Sequence, residues 1–455
     1  GEAAFFMQKE FSLLFHYFYD IITIMERWHS KEGHRMGIYF NPNHTDFYNA
    51  VNHSQIYVDK TELIQYTNSV LFGEQKYICV SRPRRFRKSM AANMLTAYYS
   101  RGCDSRELFQ GLKIATHPDF EKHLNQYNVI HLNMQSFLSK TQTIEQMIAL
   151  VTKAVGRDLL RTYPDIDYLD KSILTFMLDD VYQNYQVPFI FIIDEWDCIF
   201  RSRKNQLEEQ TKYLDFLRDL LKDKGYIALA YMTGILPIKK YGEHSAINVF
   251  YEYSMTDASP IEEFTGFTEQ EVRQLCEQYK MPFSETKKWY DGYCVDGVSI
   301  YNPKSVVEAM LRGKFNNYWT KTETYEALKV YIDLNQDGLR DKIIQMIAGE
   351  KVPVNPDKFQ NDMTTFYSAD DVLTLLVHLG YLTYDEQNRV VWIPNGEVRQ
   401  EFINSIEDGG WEPVVQAIHS SEKLLQATLS CDEQTVAALN RTSTSSKCIH
   451  LEIQR

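Results

Sequence analysis

The chain has 455 residues, of which 44% are hydrophobic and 24% charged, with a formal net charge of −13 at pH 7. That length accommodates two or three domains, and the apolar fraction fills ordinary cores, which excludes a largely disordered chain. The acidic balance disfavours indiscriminate binding to nucleic acid or anionic lipid. The seven cysteines are scattered and never spaced C-x-x-C, which argues against a disulfide framework or a zinc site and for a reducing, cytoplasmic compartment.

Residues 1–35 come first. Within them Phe11 to Met25, FSLLFHYFYDIITIM, is apolar and aromatic, but His16 and Asp20 interrupt it. It is too short to span a bilayer and has neither a basic leader nor a small-residue cleavage site, so an amphipathic helix is the expectation and no membrane association is. QIYVDKTELIQYT then reads as a short strand or turn leading into a helix that either packs locally or frames a nucleotide base.

Lys76 to Asn93, KYICVSRPRRFRKSMAAN, is the most informative stretch. Tyr77 to Val80 form a β-branched and apolar run, a basic turn follows, and Lys88-Ser89 opens an amphipathic pattern. Strand, loop, helix is the order of a phosphate-binding P-loop, G-x-x-x-x-G-K-[ST], or Walker A motif. The lysine and hydroxyl are in place, but arginines, Arg82 and Arg87, occupy both glycine positions. The candidate nucleotide-binding residues are Arg82, Pro83, Arg84, Arg85, Phe86, Arg87, Lys88 and Ser89. A solvated charge run and a nucleic-acid patch are the competing readings of the same cluster.

Pro188 to Phe200, PFIFIIDEWDCIF, carries five consecutive apolar residues and then two carboxylates. That is the pattern of a strand buried on both faces of a parallel sheet, ending at a ligand crevice. As a Walker B element it assigns Asp194, with Ser89, to a Mg²⁺ shell and Glu195 to activation of the attacking water. Further strands are expected at Asn128 to Met134, Ile227 to Gly234 and Ile247 to Met255, with helices at Thr143 to Tyr163 and Leu207 to Lys224. The alternation predicts a mostly parallel sheet with helices on both faces. Thr233, at the end of the Ile227 run, is the candidate sensor of a γ-phosphate. Arg84 and Arg85 are the candidates for stabilising charge in cis, Arg85 as a catalytic residue. Lys239, Lys240 and His244 lie in the loop that follows.

From Ile261 the pattern is mainly helical: FTEQEVRQLCEQY, SVVEAMLRGKF and YEALKVYIDL have apolar residues at three-to-four spacing. KKWYDGY places a turn signal, Asp291-Gly292, between aromatics, and IYNPKSV places Asn302-Pro303 before a helix, which together suggest a rigid packing corner. Ser368 to Ile393 give a helix and then two alternating runs around a polar turn, a winged-helix signature. Few basic residues accompany it, so a protein partner is favoured over nucleic acid. Beyond Ile406 the chain is helical and polar and ends in RTSTSSKCIHLEIQR.

RPRRFRKSM, FIIDEWD, YMTGILPIKKYGEHSAINVF, FTGFTEQEV, KKWYDGY, IYNPKSVVEAM, HLGYLTYDE and WIPNGEVRQEF resemble, in this order, the predicted AAA-ATPase-like family of bacterial proteins. The resemblance covers about Met36 to Ile406. It implies an α/β fold, a P-loop NTPase parallel sheet followed by a mainly helical lid and a winged-helix-like module, with ATP and Mg²⁺ as cofactors. The implied division is an N-terminal extension or locally docking helix at 1–35, an AAA-ATPase-like domain at 36–260, a lid at 261–330, the winged-helix-like module at 331–405 and a truncated tail or linker at 406–455. Family members commonly carry a C-terminal PD-(D/E)xK nuclease-like domain, whose acidic pair and lysine this tail lacks. The family loop resembles RPRRFGKS, so Arg87 stands where that glycine belongs. The expected function is Mg²⁺-dependent ATP hydrolysis, with a non-catalytic nucleotide-binding or protein-interaction scaffold as the alternative.

Overall fold

The computed structural model describes residues 37–238, 247–319, 325–333, 336–360, 363, 366–407 and 412–439. The expected helix at 11–25, the loop residues Lys239, Lys240 and His244, and the terminal segment 441–455 lie outside the described residues. The chain forms two compact units: one runs to Arg82 and resumes from Arg87 to Tyr253, and the other joins Pro83–Phe86 to the chain from Ser254 onward.

The first unit is built on a five-stranded parallel sheet of β1 (Tyr77–Ser81), β2 (Asn128–Asn133), β3 (Phe189–Asp194), β4 (Ile227–Gly234) and β5 (Tyr251–Tyr253), in the order β2-β3-β4-β1-β5. Every residue of β1, β3 and β4 is buried, as an apolar run on both faces of a sheet requires. β4 has the expected bounds, Ile227–Gly234. β5 is shorter than the run at 247–255, because residues 247–249 form a turn instead of joining the ladder.

Helices fill the crossovers. Ile144–Thr162 is capped by Thr143, whose side chain accepts from the Gln146 N–H, and it buries Ile144, Met147, Val151, Val155 and Leu159 along one stripe. Leu207–Leu221 likewise buries Tyr213, Leu214, Leu217 and Leu221. Parallel pairing sets Asn133 opposite Asp194, Val80 opposite Thr233 and Ser81 opposite Gly234. The C-terminal ends of four strands therefore share one edge, with β4 between the phosphate-loop strand and the carboxylate strand.

The second unit is mainly helical and also carries short strands. Helices Glu269–Tyr279, Phe283–Tyr290 and Pro303–Arg312 accompany a three-stranded antiparallel sheet of β6 (Phe267–Thr268), β7 (Tyr293–Val295) and β8 (Val298–Tyr301), ordered β6-β8-β7. These strands are too short to show a period of two in the sequence. The Asp291-Gly292 corner is a packing device. Gly292 has φ +107°, and a Cβ there would lie 1.9 Å from the Pro394 carbonyl oxygen. Helix Ala369–Leu379 is followed by the hairpin β10 (Thr383–Asp385) and β11 (Val390–Trp392), with β9 (Val352–Pro353) on its far side.

Candidate functional site

The phosphate-loop sequence folds into a closed turn at the end of β1. The Arg82 N–H donates to the Gly234 carbonyl at 3.1 Å, and its buried guanidinium donates to the carbonyls of Ser81 and Tyr253, both at 2.9 Å. Helix Lys88–Tyr99 begins directly after Arg87, which holds the N-cap position at φ +62° without a side-chain capping bond. The Lys88 ammonium donates back to the Arg82 carbonyl at 2.9 Å. Burial pushes its pKa down, while the carboxylates of Glu195, Asp197 and Asp194 act the other way.

Asp194, at the tip of β3, is the node of the site. The Ser89 hydroxyl donates to its Oδ2 at 2.6 Å, and the Thr233 hydroxyl from the end of β4 donates to its Oδ1. The Glu195 N–H donates to Oδ1 at 3.0 Å, and the Asn133 amide reaches Oδ2 at 3.5 Å. Ser89 in the first turn of its helix, Asn133 at the end of β2 and Thr233 one residue before the end of β4 are thus brought onto the carboxylate that ends β3. A hydroxyl and a carboxylate in contact are hard oxygen donors of the kind Mg²⁺ takes, so these residues fit that ion.

Glu195 follows with φ +56°, which turns the chain out of the strand. The Trp196 N–H then donates to the Thr233 carbonyl at 3.0 Å, and a Cβ on Gly234 would lie 2.6 Å from the Trp196 indole nitrogen. Fully buried Asp197 accepts from the N–H groups of Ile235 and Leu236 at 3.0 and 2.9 Å. Arg201 donates to Glu195 Oε2 and lies 3.1 Å from Asp197. Sequence reasoning missed Arg201, Asp197 and Asn133. The i, i+4 spacing of Asp197 and Arg201 was the available signal; Asn133 had none beyond its place at a strand end.

Residues 43–242 match the family model described as Predicted AAA-ATPase. That segment, under half of the chain, is similar to the AAA-ATPase-like family. Its sheet, its P-loop at the end of β1 and its acidic β3 tip make the fold an α/β P-loop NTPase, as the ordered motifs implied. The chain is 23% identical over 354 residues to an uncharacterized protein in the vnfD 5′ region of Azotobacter chroococcum mcd 1. The match covers 75% of this chain and 63% of that protein, so this chain spans less than two thirds of its relative's length. Among solved structures, a Walker-type ATPase of Pyrococcus abyssi is 12% identical, with coverages of 75% and 94% and a TM-score of 0.38. The ORC2 protein of Aeropyrum pernix, solved in ADPNP–ADP complexes, is 12% identical, with coverages of 80% and 97% and a TM-score of 0.32.

The tip of the AAA-ATPase-like loop has a separate role in packing. Pro83 and Phe86 are buried within the second unit, where Phe86 meets Tyr293 edge to face at 5.1 Å between centroids. Arg85, at φ +69°, donates to the carbonyls of Tyr318 at 2.9 Å and Trp319 at 2.5 Å. Its fork is engaged by backbone oxygens, which is a structural use of the side chain expected to stabilise phosphate charge. Arg84 is the exposed residue of the tip. Among the described residues no helix is long and apolar enough to cross a membrane.

Proposed function

We propose that this chain binds ATP with Mg²⁺ and hydrolyses it. One observation carries the reading: Ser89, the residue after the P-loop lysine, donates to Asp194 at the tip of β3, whose other oxygen takes the Thr233 hydroxyl. Lys88 supplies an ammonium to the β and γ oxygens, and the uncapped start of its helix supplies N–H groups. Ser89 and Asp194 hold the metal; when bound, Mg²⁺ neutralises charge on the phosphate oxygens. Glu195 takes a proton from the attacking water, and Thr233 donates its hydroxyl toward the γ-phosphate. The compartment is the cytoplasm, and a protein partner is met through the C-terminal helical and winged-helix-like region.

The alternative, a scaffold that binds nucleotide without turnover, draws its support from Arg87 in the left-handed region. Two measurements separate them. ATP with Mg²⁺ raises the melting temperature above a magnesium control, because a ligand of the folded state stabilises it by mass action. Glu195→Gln lowers kcat by about 10²- to 10⁴-fold and leaves ATP affinity near that of the parent. No thermal shift at millimolar ATP removes nucleotide binding; a shift without turnover in either protein establishes the scaffold.

A further inference from the structure

We infer that Arg201 is a positioning residue for Glu195, an inference that rests on the ATPase reading above. The Arg201 side chain is 12% exposed and lies between two carboxylates, donating through Nη2 to Glu195 Oε2 and lying through Nε 3.1 Å from Asp197 Oδ2. Asp197 is itself fixed, with no exposed surface, by the N–H groups of Ile235 and Leu236 directly after β4. Charged contacts therefore run from the end of β4, the strand that presents Thr233, through the Asp197–Arg201 ion pair and the Arg201–Glu195 hydrogen bond.

The consequence is geometric. Glu195 follows β3 in a left-handed turn at φ +56°, and its side chain is 25% exposed, so packing alone leaves its rotamer open. Arg201 occupies Oε2 and leaves Oε1 as the oxygen that meets water. In the hydrolytic step a water oxygen bonds the γ-phosphorus and the bond from that phosphorus to the β–γ bridging oxygen breaks. ADP departs with the electron pair, and a water proton passes to Oε1 of Glu195. An unheld carboxylate meets that water in the right orientation only part of the time, and a misplacement of about 1 Å costs on the order of 10²-fold in rate.

The test compares steady-state ATP hydrolysis and ATP affinity in the full-length parent, Arg201→Ala, Arg201→Lys and Glu195→Gln. Arg201→Ala lowers kcat about 10- to 100-fold, with KM and ATP affinity within about twofold of the parent. Removing Arg201 also strips a buried carboxylate of its cation, so Arg201→Lys is the second arm. It keeps the charge but not the fork that reaches both Glu195 and Asp197, and it recovers part of the loss. A kcat for Arg201→Ala equal to or above the parent's, beside an inactive Glu195→Gln, overturns the inference and leaves the ATPase reading standing. Equal losses of kcat and affinity, unrelieved in Arg201→Lys, mark a structural role and also overturn it. A parent without turnover, or Glu195→Gln as fast as the parent, removes the reading itself and the inference with it.

Discussion

Arg87 occupies a backbone conformation, φ +62° and ψ 27°, in which a Cβ presses on the following carbonyl. Glycine meets no such penalty, which is the physical reason a P-loop places one directly before its lysine. The left-handed turn costs an arginine roughly 1–2 kcal/mol, and glycine returns about 0.5–1 kcal/mol of that through the freedom of the unfolded chain. The guanidinium lies 3.5 Å from the Ile56 carbonyl. Arg87→Gly therefore stabilises the protein by up to about 1 kcal/mol in denaturant titration. The same change lets the backbone N–H groups approach phosphate, so ATP binds more tightly by about tenfold, or 1.4 kcal/mol. Calorimetric titration at matched salt checks this, and weaker or unchanged binding in the variant makes the arginine a working part of the loop.

In the second unit the helix Gly396–Glu407 carries a fully buried carboxyl in its first turn, Glu397. Burial pushes its pKa from 4.5 up to about 7, against the opposing effects of the Ser305 hydroxyl, the N–H groups of Tyr318 and Trp319, and the charge of Arg85. The folded protein thus keeps this proton between pH 4.5 and 7 while the unfolded chain loses it. Its contribution to stability is complete below pH 4.5 and is lost as pH rises through 7, a change on the order of 3 kcal/mol. Glu397→Gln keeps an acceptor for the Tyr318 N–H, now at 3.2 Å, and removes the titration. Urea unfolding at pH 5 and pH 8 should show the parent losing more stability between those values than the variant does, with the variant the more stable at pH 8. Equal pH dependence in the two proteins refutes the assignment.

Across the whole molecule, legibility followed the range of the interactions. β1, β3 and β4 could be read because burial on both faces writes an uninterrupted apolar run, and the structure brings Lys88, Ser89 and Asp194, singled out by their motif positions, to the same end of the sheet. The antiparallel strands β6 to β8 escaped because two to four residues show no period. Arg201 escaped because only the short turn of Cys198–Ser202 brings its side chain back to Glu195. The use of Arg85 escaped because its partners, the carbonyls of Tyr318 and Trp319, lie 233 and 234 residues away. That last separation has a measurable result. Phe86 has no exposed surface, and its aromatic partner Tyr293 lies beyond Tyr253, where the first unit ends. A chain cut to residues 37–253 keeps Lys88, Ser89, Asp194, Glu195 and Thr233 but leaves Pro83, Arg85 and Phe86 without the residues that hold them. It must then order the loop tip on binding, at roughly 1–2 kcal/mol per backbone residue fixed. ATP affinity in the cut chain is expected to fall by about tenfold or more. Phe86→Ala in the full chain should move affinity the same way by a smaller amount, with the helical circular dichroism of the parent retained. Parent-like affinity in both proteins would show that the loop tip is ordered by its own sequence and owes nothing to its distant partners.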